Sequence, residues 1–250
     1  TVRICSADTG LLLQNIRGHT GGVCSVCFSP DGTLVASCSI DRTVRICNVN
    51  DGVLQQQLTG HIASVLDVCF NPNGLLIASC SDDTSVRIYN VNTGKLKQQL
   101  IGHTNSVSGV CFHPNRQLIA SGSHDKTIRI WDVSNWSLRH TIRVHDPINR
   151  VRISPDGRLV AGCKMNGKVS INTVLDGKYV TNLWASNTVE DNGELAQVFS
   201  INDICFSADS KYLAAAADNA VVRIYNLDHE FITQKIQNLH NGVNSVCFSP

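Results

Sequence analysis

The sequence has almost no net charge, no long apolar run and no segment of sustained helical periodicity. Its 21 basic and 20 acidic residues leave a formal charge of +1, so no global field steers the chain towards nucleic acid or an anionic membrane. No apolar stretch approaches the roughly 20 residues that a membrane helix needs. Charged residues are scarce at 16% against 42% hydrophobic, which excludes a disordered chain and suits a globular one with a real core. Aromatic residues amount to 6% and none interleave with the basic stretch from Arg139 to Lys168, as single-strand nucleic-acid binding would require. That stretch holds Arg139, Arg143, Arg150, Arg152, Arg158, Lys164 and Lys168, which strand alternation scatters over several faces. No signal-peptide pattern opens the chain, but it starts at Thr1, inside a repeat.

What the sequence has in abundance is self-similarity. Gly18-His19 recurs as Gly60-His61 and Gly102-His103, a period of 42, and TVRIC at Thr1 returns unchanged at Thr43. Variants follow at Ser85, Thr127 and Val221, separated by turn sequences such as SPDG at Ser29 and Ser154. In one unit, apolar runs at residues 23–28, 34–39, 44–49 and 53–58 are joined by Pro-Asp-Gly, by Asp41-Arg42 and by Asp51-Gly52. Four short strands with regular turns predict an all-β meander. Such a sheet cannot bury both faces alone, and radial stacking is the arrangement that does so.

The eleven cysteines fall on the same lattice. Cys27, Cys69, Cys111, Cys205 and Cys247 share one slot, Cys38, Cys80 and Cys163 another, and Cys5 and Cys47 a third. Only Cys24 lies outside it; with Cys27 it imitates a CxxC metal knuckle, but residues three apart on a regular strand face opposite ways. The expectation is buried, reduced thiols, no metal and no cofactor, in a reducing compartment such as cytosol or nucleus.

Gly102-His103, Ser121-Gly122-Ser123-His124-Asp125 and Trp131-Asp132 together resemble the signature of the WD-repeat family. The resemblance spans essentially the whole chain and implies a β-propeller of four-stranded antiparallel blades. Five complete blades are expected at about 19–60, 61–102, 103–144, 145–198 and 199–238, with partial blades at 1–18 and 239–250. Both ends look cut: for a six-bladed ring the gap would correspond to residues 31–42.

His, Ser and Asp together can activate a nucleophile, but His19, Ser37 and Asp41 recur as His61, Ser79 and Asp83 and as His103, Ser121 and Asp125. An active site is not built several times over, so no enzyme is expected. The resemblance implies instead a hydrogen-bonded brace, completed by Trp131, or by Tyr89 in its place. The fourth blade carries Gly162, Asn166 and Asn172, and the fifth Ala215 and Asn219, at the brace slots, so both are expected to lack it.

By the same resemblance the function is a protein–protein interaction scaffold or adaptor that binds partner peptides or domains on the propeller's top face. The partners implied are proteins or peptides, with no small-molecule substrate, no membrane and nucleic acid disfavoured. The contact slots it implies are Ser64, Leu66, Asp82, Ser106, Ser108, His124, Asn149, Met165, Ser200, Asn202 and Asp218. Two further readings stay open: the substrate-recruiting part of a larger enzyme such as a ubiquitin ligase, and a regulatory module of a multi-domain sensor. One break in the period stands out. From turn glycine to the next first strand there are 24 residues between Gly177 and Ile201, against 13 between Gly52 and Val65. The surplus lies at residues 184–198, with Trp184, Glu190, Asp191 and Glu194, and reads either as a tolerated surface insertion or as an acidic recognition loop for a basic peptide.

Overall fold

The computed structural model describes every residue except 116, 185–198, 230, 238–240 and 249–250. Among the described residues all regular structure is β-strand. β1 (Val2–Cys5) and β2 (Leu12–Ile16) form a two-stranded sheet. Five four-stranded sheets follow in sequence order. The first is β3 (Val23–Phe28), β4 (Leu34–Ser39), β5 (Val44–Asn48) and β6 (Leu54–Leu58). The second is β7 (Val65–Phe70), β8 (Leu76–Ser81), β9 (Val86–Asn90) and β10 (Leu96–Leu100). The third is β11 (Val107–Phe112), β12 (Leu118–Ser123), β13 (Thr127–Asp132) and β14 (Leu138–Arg143). The fourth is β15 (Ile148–Ile153), β16 (Leu159–Lys164), β17 (Lys168–Thr173) and β18 (Tyr179–Trp184), and the fifth β19 (Ile201–Phe206), β20 (Tyr212–Ala217), β21 (Val221–Asn226) and β22 (Phe231–Ile236). The chain divides into two compact units, one of residues 1–121 with 133–136 and the other of 122–132 with 137–250.

The residue types explain where each strand sits. Second strands such as LVASCS and LIASCS are buried along nearly their whole length, and their small Ala, Ser and Cys side chains let neighbouring sheets close on both faces. Fourth strands such as LQQQL bury only their last leucine and put glutamines at the open edge, where polar side chains are tolerated. In the first unit β7 packs on β3 and β4, and β11 on β7 and β8. The core between the first two four-stranded sheets joins Ile46, Leu58, Val65, Val68, Ile77 and Tyr89. In the second unit β19 packs on β15 and β16, around Ile171, Leu183, Ile204, Phe206 and Tyr225.

Two expectations need correction. Residues 243–248 form no strand, because no described segment offers them a ladder partner. They still dock on the fifth sheet, Val243 N–H donating to Ala217 O at 3.0 Å. Cys24 and Cys27 do not face opposite ways. The register shifts between Val23 and Ser25, and this bulge resets the alternation, so both thiols pack against one apolar cluster.

All eleven cysteines are unbridged. Cys163 is fully buried, and burial, together with the nearby Asp203 charge, pushes its thiol up to about 12. Thiolate supply and access both control alkylation. Iodoacetamide at neutral pH, followed by peptide mass spectrometry, is expected to label the exposed Cys5 and Cys247 first and to leave Cys38, Cys80 and Cys163 unmodified until the chain unfolds.

Candidate protein-binding edge

Along one edge of each sheet lie the turn joining the second and third strands and the loop leading into the first. In the β7–β10 sheet the two are tied by His61. Its Nδ1 lies 2.7 Å from Asp83 Oδ2 and its Nε2 2.8 Å from Ser79 Oγ. A carboxylate only accepts, so Nδ1 carries a proton and donates it to Asp83, while Nε2 pairs with the serine hydroxyl. Asp83 also accepts from Ser85 Oγ at 2.6 Å and from the Ile62 backbone N–H at 3.1 Å. Tyr89 closes the arrangement by donating to Thr59 O at 2.9 Å. The β3–β6 sheet repeats it: His19 lies 2.8 Å from Asp41 and 2.9 Å from Ser37. In the first unit His103 Nε2 lies 2.8 Å from Ser121 Oγ. In the second, Thr127 Oγ1 donates to Asp125 Oδ1 at 2.6 Å and the Arg129 guanidinium sits 5.9 Å from the Trp131 ring centre.

Burial alone would raise the carboxyls of Asp41 and Asp83. The bonds from Thr43 and His19, and from His61 and Ser85, outweigh it and hold both well below the ordinary carboxylate range. The order Ser–His–Asp would suit a nucleophile, but Ser79 and Ser121 are wholly buried and no substrate reaches them. The glycine before each histidine has its own reason. Gly60 has φ of 120°, and a β-carbon there would lie 2.5 Å from Arg87 Nη1, the arginine that packs under the loop.

The fourth sheet replaces the brace rather than lacking one. Its turn supplies the amide and its loop the carboxylate, Asn166 Nδ2 donating to Asp146 Oδ2 at 2.7 Å. In the fifth sheet Asn219 Oδ1 is buried with no partner.

The contact slots fare unequally. In the first unit Ser64 O accepts from Asp82 N–H, and the exposed Asp82 carboxylate takes Ser106 Oγ–H at 2.6 Å. Ser106 and Ser108 are buried and Leu66 is half-buried, so they offer little surface. In the second unit Asn149 donates to Ser200 Oγ and Ile201 O, both at 2.9 Å, and Asn202 donates to Asp218 Oδ1 at 2.6 Å. His124 is half-buried, while Met165 and Asp218 are exposed. Trp184 ends β18; Glu190, Asp191 and Glu194 lie outside the described residues. The basic stretch is dispersed: Arg152 lies 3.5 Å from Asp203, Arg158 reaches Asp156 at 3.8 Å, and Lys164 is buried.

Sequence reasoning passed over two exposed isoleucines of this edge. Ile62, directly after His61, is 79% exposed, and Ile40, directly before Asp41, is 53% exposed. Ile40 stands in the same slot as Asp82 and was open to the same reading. It also missed a buried carboxylate on the first strands. Asp67 accepts from Ser25 Oγ at 2.8 Å and Val110 N–H at 3.2 Å, and Asp203 takes Ser245 Oγ–H at 2.5 Å in the same way.

Repeated four-stranded antiparallel sheets of this kind define the β-propeller class. The family model for the WD domain, G-beta repeat, matches residues 10–48, 52–90, 94–132, 136–171 and 193–226, and the chain belongs to the WD-repeat family. WD repeats generally act as protein–protein interaction scaffolds, typically without catalysis of their own. A search among curated proteins gave no significant match.

Two measurements check the brace. Asp83→Ala strands His61 and buried backbone donors and is expected to lower stability by about 1–3 kcal/mol, against less than about 1 kcal/mol for Asn219→Ala, read from urea midpoints. Asp41 and Asp83 are more acidic folded than unfolded, so below about pH 4 the unfolded chain binds more protons. Their stabilisation is complete above that pH and is lost as pH falls through the folded values. The urea midpoint is expected to hold from pH 7 to 5 and drop below about 4, less steeply in Asp83→Asn.

Proposed function

We propose that the edge carrying the braced turns and loops is where the chain holds segments of other proteins, as a scaffold rather than a catalyst. The observation that supports this most is Ile62. Its side chain is 79% exposed, yet its backbone N–H is fixed to the Asp83 carboxylate at 3.1 Å. A large apolar side chain on an anchored backbone offers contact area at little ordering cost, which is how interface anchors work. Ile40 and Asp82 share this edge in the first unit, and Met165 and Asp218 the equivalent slots in the second. In sequence the acidic segment at 184–198 comes between β18 and β19, ahead of a first strand. A peptide with an apolar side chain beside a basic one suits Ile62 next to Asp82.

The test compares captured partners by quantitative mass spectrometry for the unaltered chain, Ile62→Asp, Asp82→Lys and Leu75→Asp. Leu75 is also exposed, at 51%, but sits in the turn between first and second strands, at the sheet's other edge. One common set of proteins is expected to be lost from the first two variants and retained by the third. Identical sets for all four chains, each folded by circular dichroism, would reject this edge as the binding face.

A further inference from the structure

The fourth sheet departs from its neighbours at three adjoining positions. Lys164 stands where β4 and β8 have the buried Ser39 and Ser81. Ser170 stands in the slot of Arg45 and Arg87, and Asn172 in the slot of Cys47 and Tyr89. In the second sheet Arg87 and Tyr89 fill the space beneath the loop, where the tyrosine hydroxyl reaches Thr59 O. Shortening both side chains empties that space. A cavity of about 600 Å³ results, its wall including Arg143, His145, Lys164, Asn172, Tyr179 and Asn182.

The lining is not what a passive void would show. Apolar cavities stay dry, and polar ones hold water that satisfies the groups around them. Here Lys164 is only 3% exposed, and its ammonium makes no hydrogen bond or ion pair with the described residues. Asn172 Oδ1 and Asn182 Oδ1 are buried without a donor. Burial lowers the Lys164 pKa, Lys168 adds to this, and Asp146 partly offsets it. Asp146 is a facing carboxylate but makes no ion pair with Lys164, and a buried cation left unpaired in this way is costly, the usual remedy being an anion in contact with it. The acids nearby are engaged: Asp146 by Asn166 at 2.7 Å, and Asp176 by Lys178 at 3.0 Å. Arg143 lines the cavity as well, so among the described residues its wall holds two basic side chains and no carboxylate. Excess positive charge suits a dianion better than a single carboxylate. The volume falls in the range of small-molecule sites, larger than a bare ion needs. The two amide oxygens can accept from O–H or N–H donors on the same ligand.

We propose that this cavity binds a phosphate monoester, with Lys164 Nζ on the phosphoryl oxygens and Asn172 and Asn182 accepting from donors on the ester's organic part. The site lies beneath the fourth sheet's part of that edge, with Val144 and His145 in its wall and Lys164 beside Met165, but it rests on the cavity's own lining and not on the assignment of the edge to partner proteins. The ester is either a free metabolite or a phosphorylated side chain, and the probes separate the two.

The experiment titrates the whole chain with inorganic phosphate, glycerol 3-phosphate and a phosphoserine peptide, read by calorimetry and by amide NMR shifts. Saturable binding is expected, with shifts centred on residues 141–145 and 164–182. Tighter binding of glycerol 3-phosphate than of the peptide marks a free metabolite as the source, and the reverse order a modified protein. Lys164→Met keeps the side chain's length, removes the charge and leaves the fold without an unpaired cation. It is expected to weaken binding at least about tenfold, as is Asn172→Tyr, which restores the ring of the other sheets. The exposed Lys211→Met is expected to bind as the unaltered chain. No saturable binding of any probe up to about 10 mM, shifts that map elsewhere, or equal affinity in Lys164→Met would each overturn the assignment.

Discussion

A carboxylate can only accept, and in the turns of this chain it accepts from everything around it. Asp83 takes the imidazole of His61, the hydroxyl and backbone of Ser85 and the backbone of Ile62. Asp41 does the same with His19, Thr43 and Thr20. One side chain therefore closes its own turn, holds the ring of the histidine and fixes the chain direction of the loop before the next first strand. Because the carboxylate is largely withdrawn from water, none of its partners can be removed without leaving a buried group unsatisfied. The exposed residues flanking Asp41 and His61 inherit their positions from this one constraint. The rigidity of the edge and its use as a binding surface thus have a common origin.

Most of the strands were legible because every turn carries a chemical mark. Ser29 caps the turn before β4 through Asp31, and Asn48 with Asp51-Gly52 reverses the chain before β6. The errors have physical causes that no single repeat contains. A strand needs a partner as well as a propensity, which is why residues 243–248 stay outside a ladder. Period-two reasoning fails across a bulge, which is why Cys24 and Cys27 share a side. Ser106 reads as a free contact residue until Asp82 of the preceding sheet claims its hydroxyl. Asp67 escaped notice for the opposite reason: its slot holds Ser25, Asp67, Gly109, Arg150 and Asp203 in turn, with no recurring letter to flag it. Its burial depends on what adjoining first strands present. The substitutions in the fourth sheet were visible as departures, but the cavity they open is a property of three side chains together.

The matched repeats and the sheets are out of phase. The stretch 52–90 contains β6, which completes the first four-stranded sheet, and then β7, β8 and β9 of the second. Each repeat thus supplies the outer strand of one sheet and the three inner strands of the next. Neighbouring sheets are tied by covalent connection as well as by packing: Leu58, Val65 and Ile77 belong to one repeat yet form a core shared between two sheets. Stability in such an array resides as much in the junctions as in the units.

The pairing of Gly60 with Arg87, set against Val144 with Ser170, bears on the order in which such sites can change. A valine placed at Gly60 while the arginine remains would meet its guanidinium and would have to adopt a left-handed backbone. Shortening the arginine first leaves a hole beneath a glycine, which a fold survives more readily than a clash. The loop can then accept a β-carbon and relax to an ordinary φ, as it has at Val144. Mutational routes from the common repeat to the fourth sheet therefore run in one direction: through an open intermediate in which space is vacated before the loop closes over it.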